Sequence, residues 1–280
     1  MPVNYALSAL VLLSGFFLPL DGADAVEQIR GRPLQGDLMV FKVEAGSLLH
    51  LDSAPLDLSP TGYFAFGFHR DDSAAVHLNI QSPNGETQQL SLTPQKRSYD
   101  IQRIDNLPGS MVIPPQEVLD RIRQDRLDVK AARAVFSEQE DALINGFSWP
   151  VWGRISGIYG SQRILNGKPR QPHYGIDIAA ASGLAVRAPA DGAIVMAKDL
   201  YFTGGTVIID HGFFVNSTYS HLTQMITPVG THVKRGDIIG TVGSTGRSTG
   251  PHLDWRINWK QKRLDPCLLY TSPSPRDFQV

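Results

Sequence analysis

The chain has 280 residues, 42% hydrophobic and 19% charged, with 26 Lys or Arg against 27 Asp or Glu. That length provides for about two domains with cores of their own, and the near-neutral balance gives no reason to expect nucleic acid as a partner. The single cysteine, Cys267, excludes an internal disulfide and any cysteine-based zinc site, so a metal would have to be held by His and carboxylate groups.

Residues 1–25 read as a secretory signal peptide. Ala6–Leu20 is apolar, and Ala23-Asp24-Ala25 fits a small-x-small cleavage site. The competing reading, an uncleaved anchor, suffers from an apolar run short of the ~20 residues that a membrane span needs. Without those 25 residues the net charge is +1.

Residues 26–110 are expected to form a small β module resembling a sandwich. Stretches 38–46, 63–70 and 75–82 alternate apolar and polar positions, broken by turn residues, and Asn84-Gly85 is a hairpin signal. His50, His69 and His77 have no companion carboxylate at useful spacing and read as structural. Residues 111–146 are expected to be a helical linker. Val118 and Ile122 stand near helical spacing within 114–136, Pro115 suits a first turn, and Ser137-x-x-Glu140 fits a capping box before Ala142. The spacing leaves open whether a helix here also packs over a functional face.

Residues 147–266 turn β-rich again. Short apolar strands at 185–197, 204–212, 214–222 and 236–244 are separated by short turns, which favours a mostly antiparallel sheet. This half is basic, 13 Lys or Arg against 7 Asp, where residues 26–146 hold 12 against 17. On an exported protein such a half suits an anionic partner such as the cell wall or a membrane surface; a solvated surface without a partner is the plainer alternative.

Three clusters in this segment could carry chemistry. His252 and Asp254 in GPHLDW share a face if they lie on a strand, and by the same rule Tyr219 and His221 in STYSHL share one. In PHYGIDIAA, Gly175 lets the backbone turn so that His173 and Asp177 can converge. A hydrolytic metal site needs three protein ligands, an open position for water and a group to take the water's proton. A lone His-x-Asp is usually structural; three such clusters in one compact segment favour a metal site. His211 and His232, beside turns, read as structural, and Gly240, Gly243, Gly246 and Gly250 as turn-formers. Tyr174, Tyr201 and Trp255 suit either a groove lining or the core.

With these motifs in view, residues 147–266 resemble the M23 peptidase family, the LytM or lysostaphin type. WGRISGIYGSQR (152–163) is similar to its opening, HYGID (173–177) to its His-x-x-x-Asp motif, APADGAIV (188–195) to the strand that follows, and YSHL (219–222) and GSTGRSTGPHL (243–253) to its later motifs. The resemblance implies a zinc endopeptidase acting on peptidoglycan stem peptides or cross-links. His173 and Asp177 would be metal ligands, His221 would orient water or stabilise the transition state, and His252 would be the general base. The family's third ligand is the second histidine of a His-x-His motif, where this chain has Asp254. A carboxylate can ligate zinc, although two anionic ligands make manganese or iron better competitors. The partner implied is peptidoglycan and the compartment the periplasm. The alternative is a regulator of the same fold that has lost activity and instead activates a cell-wall amidase. The resemblance stops near 263–266. Residues 267–280 lack a clear period, are expected to be disordered, and resemble read-through from a library adapter, which would make Cys267 non-native.

Overall fold

The computed structural model describes residues 26–105 and 114–270, so the expected signal peptide, part of the linker and the residues after 270 lie outside it. The protein is mostly β. Two antiparallel sheets make up the N-terminal module. One joins Val26–Arg30, Leu38–Val43 and Tyr63–Gly67; the other joins Ala54–Leu56, Leu48–Leu51, Val76–Gln81 and Thr87–Leu92. The alternation does its expected work in Val76–Gln81, where Leu78 and Ile80 are buried and His77 and Gln81 are exposed. Phe41 stacks on Phe64 and Phe66, with ring centroids 5.3 and 5.6 Å away. Asn84-Gly85 makes the turn into Thr87–Leu92, with Gly85 at φ +89°.

The linker helix is shorter than the pattern predicts. A 3-10 turn, Gln116–Val118, follows Pro115, and the α-helix runs Leu119–Arg133. Its buried residues, Ile122, Asp125, Ala132 and Arg133, recur at helical spacing. That stripe packs through Ala132 on Met196, Leu200 and Ile208 of the C-terminal sheet. The Tyr201 amide donates to Asp125 (2.8 Å), and Arg121 and Lys198 pair with Asp199 and Asp128. The expected capping box does not form. Helix Asp141–Asn145 has no side-chain cap; Ser137 donates its hydroxyl to Asp210 instead, and Glu140 accepts from Thr61. Tertiary partners outcompete the local ones here.

The C-terminal sheet is antiparallel throughout. Its spatial order is His232–Val233, Gly192–Leu200, Gly204–Asp210, Val215–Leu222, His252–Trp259, Ile176–Ala179, Arg154–Gly157, and Lys262–Leu264 also pairs with His252–Trp259. One face carries Ile176, Ile178, Val207, Ile209, Tyr219, Leu253, Trp255 and Ile257 into the core. The register sets Ser220 opposite Asp254, Thr218 opposite Arg256 and Asn216 opposite Asn258 on the other face, with Asp177 across from Asp254. A central strand with polar groups along one face is costly unless that face has a use.

The residues just past 266 correct the expected tail. Pro266–Leu269 form a helical turn capped by Asp265, Leu269 is buried, and Tyr270 packs edge-on against Trp149 at 5.5 Å. The apolar run Leu268–Leu269 is short, but it meets a hydrophobic surface contributed by distant parts of the chain.

Candidate metal centre

Ile176–Ala179 and His252–Trp259 are adjacent strands, which brings Asp177 beside Asp254. His173 precedes the first strand, and Gly175 between them lies where a Cβ would come within 2.9 Å of Asp254 Oδ1 and closer still to Trp255 O and Arg256 Cγ. Only glycine lets the loop approach this closely. One ligating atom from each of His173, Asp177 and Asp254 lies within 4.8 Å of the others. His173 Nε2 stands 3.2 Å from Asp177 Oδ1 and is buried without a hydrogen-bond partner. A buried imidazole nitrogen within reach of two carboxylates suits a divalent cation, and the donor set of one imidazole and two carboxylates is one that zinc accepts.

The two remaining histidines face the same point. His252 Nε2 is 3.8 Å from Asp177 Oδ1, and the rings of His221 and His252 are 4.7 Å apart. His252 Nδ1 lies 2.8 Å from the Gly250 carbonyl and His221 Nδ1 lies 2.7 Å from the Thr245 carbonyl. A carbonyl only accepts, so both Nδ1 atoms carry a proton, and a neutral ring so held presents its lone pair at Nε2. Burial pushes the His221 pKa down, against the pull of its bond to Thr245, so the ring is neutral near pH 7.

His221 does not share a face with Tyr219, contrary to the alternation expected for STYSHL. Tyr219 points into the core opposite Trp255. Between Tyr219 and Leu222 the register shifts by one residue against Gly205–Val207, and His221 takes φ +66°. This bulge turns His221 to the polar face, a common use of bulges beside functional sites. The Tyr219 hydroxyl serves a different network: His211 Nδ1 donates to the Asp191 carbonyl, Ser217 donates to His211 Nε2, and Tyr219 donates to Ser217, each at 2.7 Å. His211 is thus structural, and burial lowers its pKa to about 4. Trp255 is core, edge-on to Trp149. Tyr174 lies at the rim, 5.4 Å from the ring of His69, so a histidine from the N-terminal module reaches the edge of the site.

Sequence reasoning missed Arg256. Its Nε donates to Asp254 Oδ1 at 2.8 Å and its Nη2 pairs with Asp254 Oδ2. Burial opposes the charge on Asp254, but the guanidinium outweighs it and holds the carboxyl well below the usual range. Each carboxylate oxygen keeps a second lone pair, so Asp254 can still face a metal. Arg256 also offsets one of the two ligand charges, leaving the balance of a one-carboxylate set. The i, i+2 rule that joins His252 to Asp254 reaches Arg256 in one further step.

Residues 171–266 match the family model Peptidase family M23. Over 158 residues the chain is 31% identical to peptidoglycan DD-endopeptidase ShyA of Vibrio cholerae, covering 55% of this chain and 36% of that protein. It is 43% identical over 130 residues to DD-carboxypeptidase/endopeptidase Mpg of Neisseria gonorrhoeae, covering 46% and 30%. It is also 34% identical over 131 residues to murein hydrolase activator NlpD of Salmonella dublin, covering 46% and 33%. The match spans about a third of the length of these relatives. A Pseudomonas aeruginosa crystal structure assigned to peptidase M23 has the same fold, with TM-score 0.65 at 24% identity over 86% of this chain and 96% of that one. The C-terminal part of this chain is a peptidase family M23 domain.

Proposed function

We propose that this M23 domain is an active, metal-dependent endopeptidase that hydrolyses peptide bonds in peptidoglycan stem peptides or cross-links. Zinc is the metal that the ligand set suits best. The observation that carries the reading is the convergence of His173, Asp177 and Asp254 within 4.8 Å, with His252 Nε2 3.8 Å from Asp177 Oδ1 and the His221 ring 4.7 Å from that of His252. A bound divalent ion would polarise the scissile carbonyl and make water nucleophilic. His252 Nε2, its tautomer set by Gly250, takes the water's proton and returns it to the leaving amine. His221, neutral and held by Thr245, orients the water through Nε2. Arg256 keeps Asp254 ionised and fixed in direction. With the signal peptide read at 1–25, the compartment is the periplasm of a Gram-negative envelope.

A second reading has one specific observation behind it. Arg256 already occupies both oxygens of Asp254, and a guanidinium can stand where a metal would otherwise complete the pairing. The domain would then be metal-free and act by binding a cell-wall amidase, and the likeness to the Salmonella activator is compatible with that. Elemental analysis of the purified protein, run beside a peptidoglycan digestion, separates the two. One equivalent of metal with muropeptide release that a chelator abolishes is the expected outcome. Absence of both would overturn the enzyme reading and favour the regulator.

A further inference from the structure

The polar face of the sheet continues past the metal centre into a second cluster. Arg133, the last residue of the linker helix, is 6% exposed, and its Nε has no hydrogen-bond partner. Among the described residues no carboxylate pairs with it. Buried arginines are normally paired, because an uncompensated buried charge is costly. The charged groups that act on it are two further arginines, Arg263 and Arg256, and the carboxylate of Asp254; burial and the two cations together pull its pKa well down. Arg256 is committed to Asp254, and Arg263 donates to Asn258 Oδ1 at 2.7 Å. Arg133 is therefore the cation of the three left without an acceptor among the described residues.

Two hydroxyls on the same face are in the same condition. Thr218 Oγ1 and Ser220 Oγ are buried without a hydrogen-bond partner among the described residues. Thr218 stands opposite Arg256 and Ser220 opposite Asp254 in the strand register. An orphaned guanidinium nitrogen and two orphaned hydroxyls, on elements that meet where Ala132 packs on Ile208, the register neighbour of Thr218, are the donor set that an anion satisfies. The Arg256 side chain keeps 23% of its surface exposed, so the cluster reaches the protein surface there.

We propose that Arg133, with Thr218 and Ser220, forms a carboxylate-binding subsite beside the metal centre, and that it selects peptides bearing a free carboxylate close to the bond to be cut. The subsite rests on the peptide-substrate reading above. Position bounds the ligand. Thr218 stands opposite Arg256, which lies two residues along one strand from Asp254, roughly 7 Å at strand rise. Consecutive Cα atoms are about 3.8 Å apart, so the recognised carboxylate lies within about two residues of the scissile carbonyl. The carboxylates of a stem peptide that meet that bound are of two kinds: the chain terminus and the free carboxylates that branch from residues within the chain.

Calorimetric titration of the full chain, treated with chelator so that nothing turns over, tests this directly. The probes are a synthetic stem pentapeptide with every carboxylate free, its C-terminal amide, and a form amidated only at the carboxylates that branch from residues within the chain. One of the two amides is expected to bind about tenfold or more weakly than the free acid, and which one identifies the source. In Arg133→Gln that difference should vanish, and in Arg133→Lys part of it should return. Thr218→Val, which keeps the shape of the side chain, should lose part of it with the fold intact by circular dichroism. Equal binding of all three peptides to the wild type, no measurable binding of any, or selectivity unchanged in a folded Arg133→Gln would overturn the proposal. Selectivity without cleavage by the metal-loaded protein would leave the subsite standing and remove the endopeptidase reading. Cleavage without selectivity would do the reverse.

Discussion

At the scale of single residues, the departure from the family pattern at Asp254 is answered by a residue two positions on. Arg256 orients the carboxylate and offsets its charge, as a hydrogen-bonded partner of a metal ligand does. Asp254→Ala removes the proposed ligand and leaves Arg256 without that carboxylate. The expected result is loss of the bound metal in elemental analysis, and unchanged stoichiometry would show that Asp254 is not a ligand. His211 supports a separate prediction about pH. Its folded pKa is lowered to about 4 from an ordinary 6.5, so the unfolded chain binds the extra proton first. Stability from this group is fully present above pH 6.5 and is lost as pH falls towards 4, a total of about 3 kcal/mol. Denaturant unfolding at pH 7 and 4.5 should show a smaller loss in His211→Gln than in the wild type. Equal losses would place the acid sensitivity elsewhere.

Among the elements, the linker helix and the bulged strand shape the site. Local pattern foresaw a helix in 114–136 but not which surface it covers. Its stripe Ile122, Asp125, Ala132, Arg133 mixes apolar and charged groups, because it packs half on Met196 and Ile208 and half over the polar face. Asp125, 8% exposed, accepts the Tyr201 amide, so Asp125→Ala strands a buried N–H and should cost about 1–3 kcal/mol. A thermal melt checks the loss, and an unchanged midpoint would mean that the helix is held by its apolar contacts alone. The bulge at His221 escaped the two-residue period because its cause lies outside the strand. The His221 amide donates to the Thr203 carbonyl at 2.7 Å, and its ring donates to Thr245 from the loop before His252. Gly246, at φ +68°, lets that loop pass close to Gly204 N, where a Cβ would come within 2.4 Å.

On the scale of the whole molecule, the N-terminal module and the peptidase domain share one hydrophobic cluster, from Leu38 and Phe66 through Trp255 to Leu269. The junction is also polar. Arg97 pairs with Asp265 at 2.8 Å, Lys262 pairs with Asp72, and Arg70 donates to the Gly160 carbonyl. Ile101–Ile104 adds a parallel strand to Gln162–Leu165. Such a junction predicts a single cooperative calorimetric transition for the full chain, whereas two resolved transitions would show that the modules unfold separately. Asp265 is nearly buried and Arg97 a quarter exposed. Asp265→Asn should therefore destabilise by about 2 kcal/mol, less than the 3–5 kcal/mol of a fully buried pair. A loss confined to one of two transitions would contradict the shared core.

The sequence by itself determined the class of the fold and the candidate ligands. Alternation, turn residues and short connections are local properties, and His-x-x-x-Asp and His-x-Asp are spacings that a strand or a glycine turn converts directly into shared direction. Only the tertiary structure decided what those residues meet. Strand pairing set Asp177 beside Asp254, a bulge driven by distant carbonyls turned His221 to the same face, and a helix more than eighty residues away in sequence packed Ala132, beside Arg133, on Ile208, the register neighbour of Thr218. Residues 267–270 teach the same lesson in reverse, since their order comes from Trp149 and the core, not from any period of their own. Periodicity records which way a side chain points along its own element, while burial, pairing and charge compensation depend on elements that the local pattern does not contain.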